Sequence, residues 1–345
     1  MPPAKGTMMV SSLRDVAALA GVSAMTVSNV INDRATVAPR TRAKVERALA
    51  ELNYRPNLSA RNLAGGRSGV IALGVPEIAI PYFAEIASMV IEEAERRGWT
   101  LLIEQTDSRP ERESEVLNGI RPRLVDGLIL YPSVLSPAEI AERADATPLV
   151  LFGGPAADKS TDHVVIDNLA AGRTATEHLI SLGRTRIAVI GPLTEPRVDA
   201  ESPRLGGYRQ AITAAGLDWR DELIAHAPAY HRRDGAEAMR RLLTGPELPD
   251  AVFCFSDLLA AGAMHAALSS GVRIPEDLAI VGFDDIEEAS FLTPTLTSIR
   301  PNKRRIAELT VRRLALSIEH GETHKPQLVV ADHTLIRRQS TIGQG

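Results

Sequence analysis

Seven short apolar runs punctuate the chain: GVIALGV at 69–75, TLLIEQT at 100–106, DGLILYP at 126–132, PLVLFGG at 148–154, RIAVIGP at 186–192, AVFCFSD at 251–257 and LAIVGFDD at 278–285. The stretches between them carry apolar residues at helical spacing. A strand that is apolar at consecutive positions is covered on both faces, which is the mark of parallel sheet layered between helices. Seven such strands are too many for one small sheet. Two doubly wound parallel-sheet lobes are therefore expected beyond about residue 68.

At 345 residues and 44% hydrophobic composition, the chain is long enough for more than one core. The single cysteine, Cys254, sits inside one of the apolar runs and reads as a buried strand residue; no disulfide framework or thiolate cluster is available. The opening MPPAKGTMMVSS lacks a secretory apolar segment, and no stretch approaches the roughly 20 apolar residues that span a bilayer. A cytoplasmic protein without membrane contact is expected. The formal net charge of −4 conceals a polarity: residues 1–65 carry nine basic and four acidic groups, a balance of +5, which leaves −9 on the rest. A basic head on an acidic body points to a polyanionic partner for the head.

That head reads as all helix. In LRDVAALAGVSAMTVSNVIN, residues 13–32, Val16, Leu19 and Ala20 recur at helical spacing, Gly21 permits a left-handed turn, and Ser23 can cap a second helix from Ala24. On the second helix Val27, Val30 and Ile31 share one face. Ala24, Met25, Ser28, Asn29 and Asn32 are left on the other, where a water-facing helix would carry Lys and Glu. Short polar and small apolar groups suit insertion into the major groove. A third helix spans about Pro39 to Asn53, with Val45, Ala48, Leu49 and Leu52 inward and Arg40, Arg42, Lys44 and Arg47 outward. In YRPNLSARNLAGGRSG, Asn57 or Ser59 can start a helix that Gly65 and Gly66 end. One or two turns need a partner to hold, so a conditional helix is expected, with Leu63 placed to wedge the minor groove; the flanking glycines equally permit a flexible linker.

The run from Leu13 to Asn32, followed by VAPRTRAKVERALAELNYRPNLSARNLAGG, resembles the DNA-binding head and hinge of the lactose repressor (LacI/GalR) family of bacterial transcription regulators, and the resemblance extends over almost the whole chain. It implies a helix-turn-helix DNA-binding domain at 11–55 after a disordered 1–10, and a hinge helix and linker at 56–67. The effector-binding and dimerisation domain would follow at 68–345. That domain has the fold of periplasmic sugar-binding proteins, with lobe one at about 68–166 and 298–325 and lobe two at about 167–297 and 326–340. By the same resemblance Ala24, Met25 and Asn29 read bases, and Ser23, Thr26, Ser28, Asn32, Thr41 and Tyr54 contact phosphates or brace the hinge. Asn57, Ala60, Arg61 and Leu63 belong to the minor-groove hinge. The implied partners are a pseudo-palindromic double-stranded operator, a second copy of the chain and a small effector. After LIRRQSTIGQG no leucine heptads follow, which favours a dimer.

Ligands of open α/β sheets lie beyond the carboxyl ends of strands. The polar residues there are Asp167, Ser256, Asp257 and Asp284, with Arg204 opening the next helix. Carboxylates and a guanidinium converging on a cleft suit a neutral polyhydroxy ligand; each aspartate alone could equally cap a helix. The resemblance carries effector contacts onto Asp167, Arg204, Asp257 and Asp284, onto the rings of Tyr82 and Phe83, and onto Tyr230. Ser256 and Pro301 stand where sugar-responsive members often have asparagine and glutamine, so an atypical ligand is expected, and RVDAES before Pro203 departs from the purine-responsive branch. Enzyme readings find little footing: the chain has no GxGxxG after a strand, no GxxxxGK[ST] and no GxSxG. His320 and His324 have helical spacing but lack companion ligands. No cofactor or metal is expected. The competing reading is a solute-binding protein of the same body fold, without gene-regulatory DNA binding.

Overall fold

The computed structural model describes residues 12–31, 37–54, 67–119, 124–154, 160–195 and 200–343. The chain divides into two compact units, 1–68 and 69–345.

The first unit contains α1 (Leu13–Ala20), α2 (Ala24–Ile31) and α3 (Pro39–Glu51). Ser12 starts α1 with a capping box: its hydroxyl accepts the Asp15 N–H, and the Asp15 carboxylate accepts the Ser12 N–H at 2.7 Å. Gly21 ends α1 at φ +64°, and Val22 N–H returns to Ala17 O at 3.0 Å. A side chain at residue 21 would meet nothing within 4 Å, so the turn needs glycine for its backbone alone. Val16, Ala17, Ala20, Val27, Val30, Val45 and Ala48 form the core, with Leu49 and Leu52 packed against it. Leu19, which shares the helical spacing of Val16 and Ala20, is 46% exposed; the buried arc of α1 runs through residues 16, 17 and 20. The third helix stops two residues short of expectation because Asn53 takes a left-handed φ of +44°.

In the second unit the chain runs through β1 (Val70–Val75), α4 (Pro81–Glu95), β2 (Thr100–Gln105), α5 (Pro110–Leu117), β3 (Gly127–Leu130), α6 (Pro137–Ala141), β4 (Leu149–Phe152) and β5 (Asp162–Ile166). It continues with α7 (Asn168–Ser181), β6 (Ile187–Gly191), β7 (Thr194–Glu195), β8 (Ala200–Glu201), α8 (Pro203–Ala214), β9 (Ile224–His226), α9 (Arg232–Thr244), β10 (Ala251–Cys254), α10 (Asp257–Ser269) and β11 (Ala279–Phe283). β12 (Thr297–Pro301), α11 (Lys303–His320), β13 (Leu328–Ala331), β14 (His333–Ile336) and α12 (Gln339–Ile342) follow. One six-stranded sheet has the order β13-β5-β4-β3-β1-β2 and is parallel throughout. The other has the order β14-β12-β11-β10-β6-β9 and is parallel except for its β14 edge, which runs antiparallel to β12. Registers such as Leu73↔Ile103 and Phe253↔Val189 align apolar side chains across each sheet.

The first crossing between lobes falls after Ile166, the last residue of β5. The other two are displaced from the expected boundaries. Residues 298–301, assigned to lobe one from the sequence, pair with β11 in lobe two, and 328–331, assigned to lobe two, pair with β5 in lobe one. The chain changes lobes at Asn302 and Asp332, because the ladder bonds of β12 and β13 persist to those polar residues. Asn302 N–H donates to Asp332 O, and its Nδ2 to Asp332 Oδ1, both at 3.0 Å, so these two crossings are laced together. Helix α11 lies between them and packs Ile306, Ala307, Val311 and Leu314 into the lobe-one core. In lobe two, α7 and α8 cross with backbone against backbone: a Cβ at Gly172 would lie 2.4 Å from Arg204 O, and one at Gly207 would lie 2.1 Å from Leu169 O. That approach sets the first turn of α8, and Arg204 with it, over the end of the sheet. Among the described residues, no helix is long and apolar enough to cross a membrane.

Candidate functional site

Two places carry the chemistry. In the first unit, Ser23 Oγ accepts the Thr26 N–H at 3.1 Å and lies 2.9 Å from Thr26 Oγ1, which fixes the first turn of α2. Ser23, Ala24 and Met25 project from that turn into solvent, Met25 at 69% exposure, while Thr26, Ser28 and Asn29 are half-buried. An exposed methionine on an eight-residue helix gains nothing from water; against thymine methyls it buries apolar area. Thr41 lies in the first turn of α3, where its N–H donates to Ala38 O, and the Tyr54 side chain packs on the helical core. Asn32, Asn57, Ala60, Arg61 and Leu63 lie outside the described residues.

In the second unit, a cleft opens at the carboxyl ends of the strands of both sheets and holds about 750 Å³ of open space. Lobe one supplies Tyr82 and Phe83 from the start of α4 and Tyr131 from the end of β3. Their rings meet edge to face, Tyr82 to Phe83 at 5.3 Å and Phe83 to Tyr131 at 4.9 Å between centroids. Lobe two supplies Arg204, Tyr230, Ser256, Phe283 and Asp284, and the crossings contribute Asn168 and Pro301.

Arg204 is held from three sides. Its Nε donates to Asn168 Oδ1 at 2.9 Å, Nη1 donates to Phe255 O, and its guanidinium stacks 3.5 Å from the Phe283 ring centroid. Asp284 sits at φ +106°, its N–H bonded to Ile299 O and its carbonyl to Lys303 Nζ, each at 2.9 Å. Burial pushes its carboxyl up to about 7 against the opposing pull of Arg204 and Lys303. Burial and the neighbouring Asp284 carboxylate also raise the Tyr82 hydroxyl, which therefore stays a donor. The cleft thus presents aromatic faces, one fixed cation and one carboxyl group, a set suited to a ring that is apolar on its faces and hydroxylated at its edge.

Six of the eight expected effector residues line this cleft: Tyr82, Phe83, Arg204, Tyr230, Ser256 and Asp284. The other two aspartates are diverted to backbone. Asp167 is exposed and caps α7, accepting the Ala170 N–H at 2.8 Å. Asp257 is 1% exposed below the cleft; its carboxylate accepts Ser298 Oγ at 2.6 Å and Ile286 N–H at 2.9 Å. Asn168, one residue past Asp167, and Tyr131 are among the contributors not singled out from sequence. The signal for both was their place at a strand's carboxyl end. Of the two histidines weighed as metal ligands, His324 is bound 2.5 Å from Asp162 beside Arg313, and His320 is exposed at the end of α11.

Residues 12–57 match the family described as "Bacterial regulatory proteins, lacI family", and residues 176–341 match the "Periplasmic binding protein-like domain". The chain is 36% identical over 304 residues to the ribose operon repressor of Escherichia coli (strain K12), covering 87% of this chain and 91% of that one. Among solved structures it is similar to the lac repressor dimer bound to operator and the anti-inducer ONPF, with a TM-score of 0.82 at 28% identity, covering 96% and 99% of the two chains. It is also similar to the transcriptional regulator CelR in complex with cellobiose, with a TM-score of 0.70 at 34% identity, covering 96% and 99%.

Proposed function

From the premise that the chain belongs to the lacI family of bacterial regulatory proteins, we propose that it is a cytoplasmic transcription repressor that binds a pseudo-palindromic operator as a homodimer and answers to a sugar held in the cleft. It binds and releases; no catalytic step is assigned to it. The observation that carries this reading is the union, in one chain, of a solvent-facing small-residue helix and a two-lobed cleft lined by Arg204, Asp284 and a cluster of aromatic rings.

Ala24, Met25 and Asn29 are assigned to bases, and Ser23, Thr26, Ser28, Asn32, Thr41 and Tyr54 to phosphates or bracing. Asn57, Ala60, Arg61 and Leu63 are assigned to the hinge. With two of the three base-reading residues apolar, selectivity rests on Asn29, on methyl contacts and on the deformability of the DNA at the hinge leucine. Sugar affects operator affinity only through different affinity for the two lobe arrangements, a coupling of about 1–3 kcal/mol in most allosteric proteins.

Selection of duplexes from a random pool, with and without a sugar panel, tests the reading. One enriched palindrome whose retention changes with a sugar is the expected result; no enrichment under any condition refutes it. Leu63→Ala is expected to weaken specific binding far more than binding to random duplex, as measured by gel shift; equal losses refute the wedge.

A further inference from the structure

The cleft consists of two chambers in series. The inner one holds Tyr82, Ser256 and Asp284 at its floor. An outer one, with about 1420 Å³ of open space, extends to Glu77, Asp107, Ser133, Ser202 and His231. Both are lined by Ile80, Phe83, Tyr131, Asn168, Arg204 and Tyr230, so the two spaces run into one another. The inner space is the smaller of the two. An occupant confined to it leaves the polar groups of the outer chamber unused.

Those outer groups have a consistent character. They are carboxylates, hydroxyls and one imidazole, drawn from both lobes. Glu77 follows β1 in lobe one and His231 precedes α9 in lobe two, yet His231 Nε2 lies 2.8 Å from Glu77 Oε2 across the opening. The other ring nitrogen of His231 faces Asp234 at 3.4 Å. A phosphate placed here would confront the Glu77 and Asp107 carboxylates. A neutral polyol would find an acceptor on one lobe and a donor on the other. Prolines 76, 132, 192, 203 and 228 form much of the chamber wall, and their fixed φ holds its shape.

Resting on the sugar reading above, we propose that the effector is an uncharged oligosaccharide of at least two rings, with one ring between Arg204 and Asp284 and the next in the outer chamber between Glu77 and His231. The second ring, held from both lobes, draws them together. It is the outer chamber that selects for chain length and against sugar phosphates.

Isothermal titration and thermal-shift measurements on the full chain test this with glucose, galactose, ribose and glucose 6-phosphate beside cellobiose, maltose, lactose and cellotriose. The expected result is a disaccharide or trisaccharide that binds at least about tenfold more tightly than its component monosaccharides, the worth of one or two added hydrogen bonds. Glu77→Gln and His231→Ala are each expected to weaken that oligosaccharide about tenfold and the monosaccharides less than about twofold. Because His231 also begins α9, the Glu77 variant is the one that leaves the helix untouched. A monosaccharide or sugar phosphate that binds as tightly as the best oligosaccharide overturns the inference and leaves the sugar reading standing, as do variants that weaken both sizes equally. Failure of every sugar to bind overturns the sugar reading and the inference together.

Discussion

Asp284 concentrates the site's electrostatics in one side chain. Its ordinary carboxyl value of 3.8 is raised to about 7 by burial, so the native state holds a proton that the unfolded chain releases between about pH 4 and pH 7. A raised carboxyl stabilises the fold fully below the unfolded value, and that contribution is lost as pH climbs through the folded one. Asp284→Asn removes this liability and suits the left-handed backbone there. Melting curves of the variant are expected to lie at or above wild type at pH 8 and to approach or fall below it at pH 5, while sugar binding is lost at both. A variant that melts well below wild type at pH 8 contradicts the assignment. The same residue type shows where sequence reading falls short. Asp167, Asp257 and Asp284 all end strands in this chain, and only the last reaches the cleft. The difference lies in the backbone donors that claim the other two: Ala170 N–H, three residues on, for Asp167, and Ile286 N–H, from beyond β11, for Asp257. Carboxylate at a strand end names a place; which donor claims it is decided by the fold.

Between elements, the α7–α8 contact is the feature on which Arg204 depends. Gly207→Ala would put a Cβ 2.1 Å from Leu169 O and 2.6 Å from Arg173 N, both backbone atoms that move only with their helix. Urea unfolding of this variant is expected to show a loss of about 1–3 kcal/mol or more, the range for overpacked cores, together with weakened sugar affinity from a displaced Arg204. Unchanged unfolding would mean that the helices slide freely, which the contact does not allow. All seven apolar runs emerged as strands, because strands covered on both faces leave an unbroken hydrophobic signature. Those that escaped notice are peripheral or polar. β13 exposes Leu328 and Val330, β14 is half-exposed along its length, and β12 carries Arg300 among its buried neighbours. An edge strand has one neighbour and a mixed pattern, so continuity of apolar residues does not reveal it.

Across the second unit as a whole, Lys303 joins the lobes. It is 8% exposed, and its ammonium group pairs with Glu85 on α4 of lobe one while donating to the carbonyls of Asp284 and Asp285 in lobe two, each at 2.9 Å. Glu85 also accepts the Glu287 N–H from lobe two at 3.1 Å. Lys303→Met leaves that carboxylate and two carbonyls without their cation and is expected to cost about 1–3 kcal/mol in urea unfolding. It should also blunt the proposed sugar-driven closure of the lobes, as read by small-angle scattering. Retention of both stability and compaction would show that the lobes are coupled elsewhere. The two-lobed plan was legible from strand count, whereas the crossing points were not, since Asn302 and Asp332 bond to each other and carry no local pattern that marks a change of sheet.

The strand order has a consequence for biosynthesis. The final edge of one sheet is β13 and that of the other is β14, and both come from residues beyond 327. A ribosome that has delivered 325 residues has therefore produced two incomplete sheets, with β5 and β12 each bare along one side and open to pairing with a neighbouring nascent chain. Neither lobe can mature until residues beyond 327 have been delivered.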